Sequence, residues 1–132
     1  MTTEIEFSHR ISYGETDAMG IVYYAEYLHF FERARSELIR SKGMSYAKVE
    51  EEGLFLPVRE ASCRYKRPAK YDEIINIKCT VAGQKKASMT FKYEIHNEDH
   101  SILHATGMTE HALVNREGRP VRIPEWLSEM LT

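Results

Sequence analysis

Residues 13–35 read YGETDAMGIVYYAEYLHFFERAR: a Gly-bounded loop with one acidic side chain, Asp17, runs into the longest aromatic-rich amphipathic segment of the chain. From about residue 22 to residue 40, apolar side chains recur at steps of three and four: Tyr24, Tyr27, Leu28, Phe31, Ala34 and Leu38. Glu26, His29, Arg33, Glu37 and Arg40 take the other side. This period predicts a helix of about 19 residues, near 28 Å long at about 1.5 Å per residue. Gly43 is placed to end it, and residues 45–52 predict a second short helix stopped by Gly53. Where a helix begins, several backbone N–H groups lack partners and the dipole adds roughly half a positive charge. The loop–helix junction therefore suits an oxygen that gains negative charge, with the Asp17 carboxylate beside it.

Elsewhere the period is two. Ile5, Phe7, His9, Ile11 and Tyr13 alternate with Glu4, Glu6, Ser8, Arg10 and Ser12, which predicts a half-buried strand ending near the Asp17 loop. Residues 54–66 predict a strand interrupted by Pro57, with Arg67, Pro68 and Lys70 marking the turn out of it. Ile75, Ile77, Cys79 and Val81, then Ala87, Met89, Phe91, Tyr93 and Ile95, alternate with polar residues on either side of a turn at 83–86, the pattern of a hairpin. Residues 102–114 predict a last long strand, and 124–131 a short terminal helix anchored by Trp126. The class is α+β: one long helix on a five-stranded antiparallel sheet, because only a sheet face can bury the helix's aromatic stripe. The edge of such a sheet must be covered or paired, and pairing with a second copy predicts a homo-oligomer.

A chain of 132 residues suits a single domain, 1–132, that buries about two thirds of its unfolded surface. With 18 Lys and Arg against 20 Asp and Glu, it lacks the cationic excess of a binder of nucleic acid or anionic membrane. MTTEIEFSHR has no apolar signal core, and no apolar run approaches the roughly 18 residues of a membrane span. A soluble cytoplasmic protein is expected. Cys63 and Cys79 are far apart and form no C-x-x-C pair, which argues against a disulfide framework or zinc knuckle and for small core or strand residues. His96, His100 and His104 recur at steps of four but straddle a predicted hairpin turn rather than a helix face, so no metal is expected. No Gly-x-Ser-x-Gly elbow, Walker sequence or dinucleotide fingerprint is present, and no cofactor is called for.

The stretch from Asp17 through Gly20, Ile21, Val22, Tyr23, Tyr24 and Tyr27 to Leu28 resembles the D-x-x-G-[VI]-V-[YW]-x-x-x-Y signature of the 4-hydroxybenzoyl-CoA thioesterase family, a branch of the hot-dog fold. The likeness continues through Phe31-Glu32-Arg33-Ala34-Arg35, Phe55-Leu56-Pro57-Val58, Tyr65, Pro68, Tyr71 and Asp72 to the tail Gly118–Pro124, and so covers nearly the whole chain. It implies a helix wrapped by the sheet, copies joined edge to edge as a homodimer or homotetramer, and active sites at the dimer interface. It further implies hydrolysis of an aromatic or short- to medium-chain acyl-CoA, with Asp17 as nucleophile or general base and the Tyr24 amide polarising the carbonyl. Gly20, Ile21, Val22 and Tyr23 would then contact substrate, while Arg64, Arg67, Lys85 and Lys86, with Lys66 and Lys70, would meet the coenzyme A phosphates. Many bacterial members carry His at position 24, where this chain has Tyr, a difference that bears on substrate choice and pH profile.

Other readings attach to the same residues. An Asp ahead of an amphipathic segment also serves as a helix cap. Tyr23, Tyr24 and Tyr27 at helical spacing suit a core, Glu32 suits an ion pair with Arg33 or Arg35, and basic residues at strand ends are common in any case. Hot-dog dehydratases and hydratases need a His with an acid, and no such pair stands at a recognisable spacing near the helix start. A catalytically silent acyl-CoA sensor would keep the pocket without needing Asp17.

Overall fold

In the computed structural model, which describes residues 3–132, helix α1 (Glu26–Ser41) lies against the inner face of a five-stranded sheet. The strands are β1 (Glu4–Arg10), β2 (Val58–Tyr65), β3 (Ile74–Gln84), β4 (Ser88–Asn97) and β5 (Leu103–Ala112), in the spatial order β1-β3-β4-β5-β2, all neighbours antiparallel. Two short helices complete the described chain: α2 (Tyr46–Glu51), capped by the Ser45 hydroxyl, and α3 (Glu125–Met130). This is the α+β hot-dog arrangement.

The inward residues of the sheet follow the two-residue period: Ile75, Ile77 and Cys79 on β3, and Met89, Phe91, Tyr93 and Ile95 on β4, are buried. Against them α1 presents Tyr27, Phe30, Phe31, Ala34, Leu38 and Ile39. The closest approach is made possible by an absence. Gly107 on β5 faces Phe31, and a Cβ there would fall well inside 3.0 Å of the Phe31 ring. With that space open, Phe31 stacks flat on Tyr93, ring centroids 4.3 Å apart.

A buried polar chain starts from the same stack. The Arg35 guanidinium donates to the Tyr93 hydroxyl (3.2 Å), which lies 2.6 Å from Thr109 Oγ1, itself 2.8 Å from His111 Nε2. His111 Nδ1 lies 2.9 Å from the Leu56 carbonyl, an acceptor only, so Nδ1 carries the proton and Nε2 accepts. Every donor in the chain then points the same way, from α1 toward the segment that enters β2. Burial holds the His111 pKa down to about 4, with the Leu56 bond opposing that shift and the Arg35 charge adding to it.

Several expectations change. Helix α1 starts at Glu26 rather than near residue 22, because Val22 is held in an antiparallel bridge to Thr16 and bonded to the Ala69 carbonyl. Its buried stripe is turned relative to the expected one: Phe30, Arg35 and Ile39 are inside, whereas Tyr24 and Leu28 are 62% and 45% exposed. Strand β1 ends at Arg10, and Tyr13 stands in a short 3-10 turn, Tyr13–Glu15, with its ring in solvent. Leu127 and Leu131, not Trp126, anchor the terminal helix. Both cysteines are free thiols, Cys79 in the core and Cys63 half-buried on β2. Among the described residues, no helix is long and apolar enough to cross a membrane and no three His, Cys, Asp or Glu converge to hold a metal.

Two outcomes follow from this packing. Gly107→Ala forces Phe31 off its seat and is expected to cost about 1–3 kcal/mol or more in urea unfolding, a loss partly recovered by adding Phe31→Leu. His111, neutral when folded, takes up a proton on unfolding between its ordinary value of about 6.5 and about 4. Its contribution is therefore complete above that window and lost as pH falls through it, on the order of 3 kcal/mol in all. The stability difference between wild type and His111→Gln, followed by urea titration from pH 7 to pH 4, should shrink accordingly.

Candidate active site

The Asp17 loop is a closed turn sewn to the chain that follows β2. Thr16 and Val22 bridge at its base, the Asp17 N–H donates to the Ile21 carbonyl (2.9 Å), and the Gly20 N–H donates to the Asp17 carbonyl (3.0 Å). Gly20 sits at φ +79°, a left-handed conformation that glycine adopts without strain, and this allows the chain to reverse after Asp17. On the outer side Ile21 bridges Lys70, Val22 donates to the Ala69 carbonyl (2.9 Å) and Tyr71 donates to the Gly20 carbonyl (3.2 Å). Asp17 Oδ1 accepts the Met19 N–H at 2.8 Å, an Asx-turn that orients the carboxylate. The helix-cap reading of Asp17 does not hold, since the N-cap of α1 is Ala25, which has no side chain able to accept.

That uncapped start leaves donors over. Glu26 donates to the Tyr23 carbonyl and Tyr27 to that of Tyr24. Neither the Tyr24 N–H nor the Ala25 N–H, however, donates to an acceptor among the described residues. From the far side, the Tyr65 hydroxyl at the end of β2 donates to the Tyr24 carbonyl at 3.0 Å, which holds the peptide in place. Tyr65 packs edge-on against Tyr27 (5.1 Å) and Tyr24 (6.5 Å). Burial, for Tyr65 assisted by Cys63, pushes the phenols of Tyr27 and Tyr65 up to about 12, so both stay neutral near pH 7. Of the three helix-spaced tyrosines only Tyr27 is core; Tyr23 and Tyr24 stand exposed and lean on one another at 4.8 Å.

These pieces enclose a cleft of about 280 Å³. Asp17, Ile21 and Val22 form one wall, Tyr24, Tyr27 and Tyr65 the other, and Lys66, Arg67 and Pro68 the lip. The lip is fixed by the His104 carbonyl, which accepts the N–H groups of Lys66 and Arg67, and by His104 Nδ1, which donates to the Arg67 carbonyl. The carboxylate residue Asp17, Tyr24 with its free N–H, an apolar aromatic wall and a cationic rim thus share one opening. None of the six histidines lines it. The other grooves, of about 310 to 540 Å³, are lined by neither Asp17 nor Tyr24.

Of the residues singled out from sequence, Asp17, Ile21, Val22, Tyr24, Lys66 and Arg67 meet at this cleft. Gly20 and Tyr23 shape the loop without lining it. Arg64 alternates to the opposite, solvent face of the sheet, beside Lys78 and Lys92. Lys85 and Lys86 lie in the β3–β4 turn, at the far end of the 11-residue β3 from Ile74, which pairs with Arg10 next to the loop. At about 3.3 Å per residue, that separation is about 36 Å within one chain. Lys70 lies on the outer side of the loop. Glu32 is exposed and forms no ion pair with Arg33 or Arg35, because Arg33 turns to His9 and Arg35 to Tyr93. His96 and His100 do meet, rings 5.4 Å apart, while His104 is committed to the Arg67 carbonyl. Tyr27 and Tyr65 as cleft walls were not singled out as site residues, although Tyr65 stands one step from Arg64 and so must face inward.

Residues 11–131 match the profile of the thioesterase-like superfamily. The acyl-CoA thioester hydrolase YbgC of Escherichia coli O6:H1 is 32% identical over 102 residues, which span 77% of this chain and 76% of that one. A solved structure of a hypothetical protein from Aquifex aeolicus superposes with a TM-score of 0.91 at 35% identity, covering 97% of this chain and 99% of the other. The DHNA-CoA thioesterase of Staphylococcus aureus superposes with a TM-score of 0.87 at 31% identity, covering 96% and 85%.

Proposed function

Because the chain belongs to the thioesterase-like superfamily, we propose that the Asp17 cleft hydrolyses the thioester of an acyl-coenzyme A to the free acid and coenzyme A. The chain is a thioester hydrolase, as its relatives named for that activity are. One observation carries the assignment to this cleft: Asp17 and Tyr24, whose N–H has no partner among the described residues, line the same space.

The chemistry divides between them. With the thioester carbonyl oxygen toward the Tyr24 and Ala25 N–H groups, charge developing on that oxygen meets fixed donors and the positive end of α1. Asp17 then acts in one of two ways. Its free oxygen attacks the carbonyl carbon, the C–S bond breaks, coenzyme A leaves as thiolate, and water hydrolyses the resulting anhydride. Alternatively, the carboxylate takes a proton from water as that water attacks the carbonyl carbon, and the tetrahedral intermediate collapses with cleavage of the C–S bond and departure of coenzyme A thiolate, which recovers the proton. Neither route requires a cofactor. A hydratase or dehydratase reading draws no support, since no histidine lines the cleft.

The three-tyrosine wall favours an aromatic acyl group, in keeping with the aromatic side chain at position 24. Lys66 and Arg67 on the lip suit the phosphates of the carrier. The working unit is a cytoplasmic homodimer or homotetramer joined through β2, an edge strand exposed along nearly its whole length whose last residue, Tyr65, stands in the cleft wall. Pairing there covers the open strand and closes the cleft from the partner's side.

Asp17→Asn and Asp17→Ala are expected to lower kcat/KM for a hydrolysed acyl-CoA by about 100- to 10,000-fold in a thiol-release assay, with the circular dichroism spectrum and melting temperature unchanged. Near-wild-type turnover in either variant rejects Asp17 as the catalyst. Tyr24→Ala keeps the backbone amide and removes only the ring. It should retain turnover of short aliphatic acyl-CoAs while the preference for aromatic over aliphatic substrates drops by about 2- to 10-fold, the worth of one aromatic contact.

A further inference from the structure

We propose that Arg33, His9 and Glu15 form a positioning brace that holds the Asp17 loop in register with the start of α1. This rests on the catalytic reading of Asp17 and the Tyr24 amide, and it assigns a role in that reaction to three residues outside the cleft.

Each of the three stands on a different element: Arg33 on α1, His9 on β1 and Glu15 in the 3-10 turn two residues before Asp17. His9 Nε2 lies 2.8 and 3.0 Å from the two Glu15 carboxylate oxygens, and Arg33 Nη1 lies 3.2 Å from His9 Nδ1. The partners dictate the tautomer. A carboxylate only accepts, so Nε2 carries the hydrogen; a guanidinium only donates, so Nδ1 offers its lone pair. His9 is therefore a relay with direction, receiving from α1 and giving to the loop. The ring is confined from other sides by Phe30, 5.3 Å away, and Arg33 lies over the Phe7 ring at 5.5 Å. With side-chain exposures of 17% and 15%, the His9–Glu15 pair is shielded, unlike an ordinary surface bridge. Burial works to raise the Glu15 carboxyl, but the Ser12 amide and His9 together hold it below the usual range.

What makes this brace functional is where Glu15 leads. Its carboxylate also accepts the Ser12 N–H (2.8 Å), while its main-chain carbonyl accepts the N–H of Tyr23 (2.9 Å), the residue before the proposed carbonyl-polarising amide. Thr16, next in the chain, bridges Val22, and Asp17 follows. One residue thus ties its side chain to β1 and α1 and its backbone to both halves of the proposed site. Displacing Glu15 moves Asp17 and Tyr24 together or apart, and a misplacement of about 1 Å can cost on the order of 100-fold in rate without loss of binding contacts.

A merely structural role predicts lower stability with intact kinetics, because the loop keeps its own main-chain bonds. The test is the split between kcat and KM in His9→Ala and His9→Gln, assayed by thiol release on an acyl-CoA that wild type hydrolyses. His9→Ala is expected to lower kcat about 10- to 100-fold with KM within about twofold. His9→Gln, whose amide can donate to Glu15 and accept from Arg33, should recover most of the loss. Wild-type kcat in a folded His9→Ala protein, or a Gln variant no better than Ala, overturns the brace. If His9→Ala does not fold, Glu15→Gln decides, since it keeps size and acceptor but weakens the pair: reduced kcat at constant KM supports the brace and wild-type kcat overturns it. Asp17→Asn in the same assay separates the two layers. If it retains turnover, the catalytic reading itself fails; if it is inactive while the brace variants are unaffected, the brace alone falls.

Discussion

Everything else in this molecule is referred to the contact between Phe31 and the bare backbone of Gly107. A helix laid on a sheet can slide or roll unless some feature keys it, and here the missing Cβ on β5 admits one ring and no other arrangement of it. The ring then stacks on Tyr93, whose hydroxyl is the second link of the polar chain from Arg35 to the Leu56 carbonyl. Apolar fit and directional hydrogen bonding therefore select the same pose of α1. Because α1 is a rigid rod of 16 residues, keying Phe31 also locates the helix start at Glu26, five residues and about 7.5 Å away, just ahead of which the free amides lie. The distance between chemistry and core is one helical stretch.

The polar chain adds something packing alone does not supply. A buried guanidinium without a carboxylate partner is costly, and so is a buried imidazole that must stay neutral. Joined through Tyr93 and Thr109, the guanidinium and the imidazole each gain a partner, although Arg35 Nε finds none among the described residues, and reversing any one donor would leave another unmet. Such a chain tolerates one arrangement of α1, β4, β5 and the segment before β2. It makes the fold specific at some expense of stability, and it carries the position of the helix to Leu56 at the entry to the open edge strand.

How legible this was from sequence depends on what each signal measures. Period-two alternation reports which side chains face inward, and it located β3 and β4 closely because both are flanked by strands on each side and buried on one face. It reports nothing of where a strand stops when the chain bends instead of turning, hence Tyr13, in phase with β1 yet 79% exposed. The helical period was read through Tyr24 because an exposed aromatic beside a cleft counts the same as a core aromatic. Arg35, like Arg33, reads as an ion-pair partner for Glu32 because charge usually marks a wet face, and a buried arginine bonded to a phenol has no local signature. The Asp17 cleft itself was visible in outline through a loop, an acid and a helix. Tyr27 and Tyr65 as its far wall, and Arg33, His9 and Glu15 behind it, depend on contacts between residues up to 41 apart in the chain and could only come from the fold.

The largest discrepancy between pattern and structure is also the most instructive one. A helix running from residue 22 would pair the Ala25 amide with the carbonyl of residue 21 and leave its orphan donors at residues 21–24. Instead Val22 is drawn into a bridge with Thr16 and a bond to Ala69, so the first regular turn is delayed to Glu26. Ala25 at the N-cap then withholds the side-chain acceptor that Ser, Thr, Asn or Asp would provide. A residue of that kind would accept the Tyr27 or Leu28 N–H and stabilise α1 by about 1 kcal/mol. Local propensity and capping are both set against the best helix at the place where the Asp17 cleft opens.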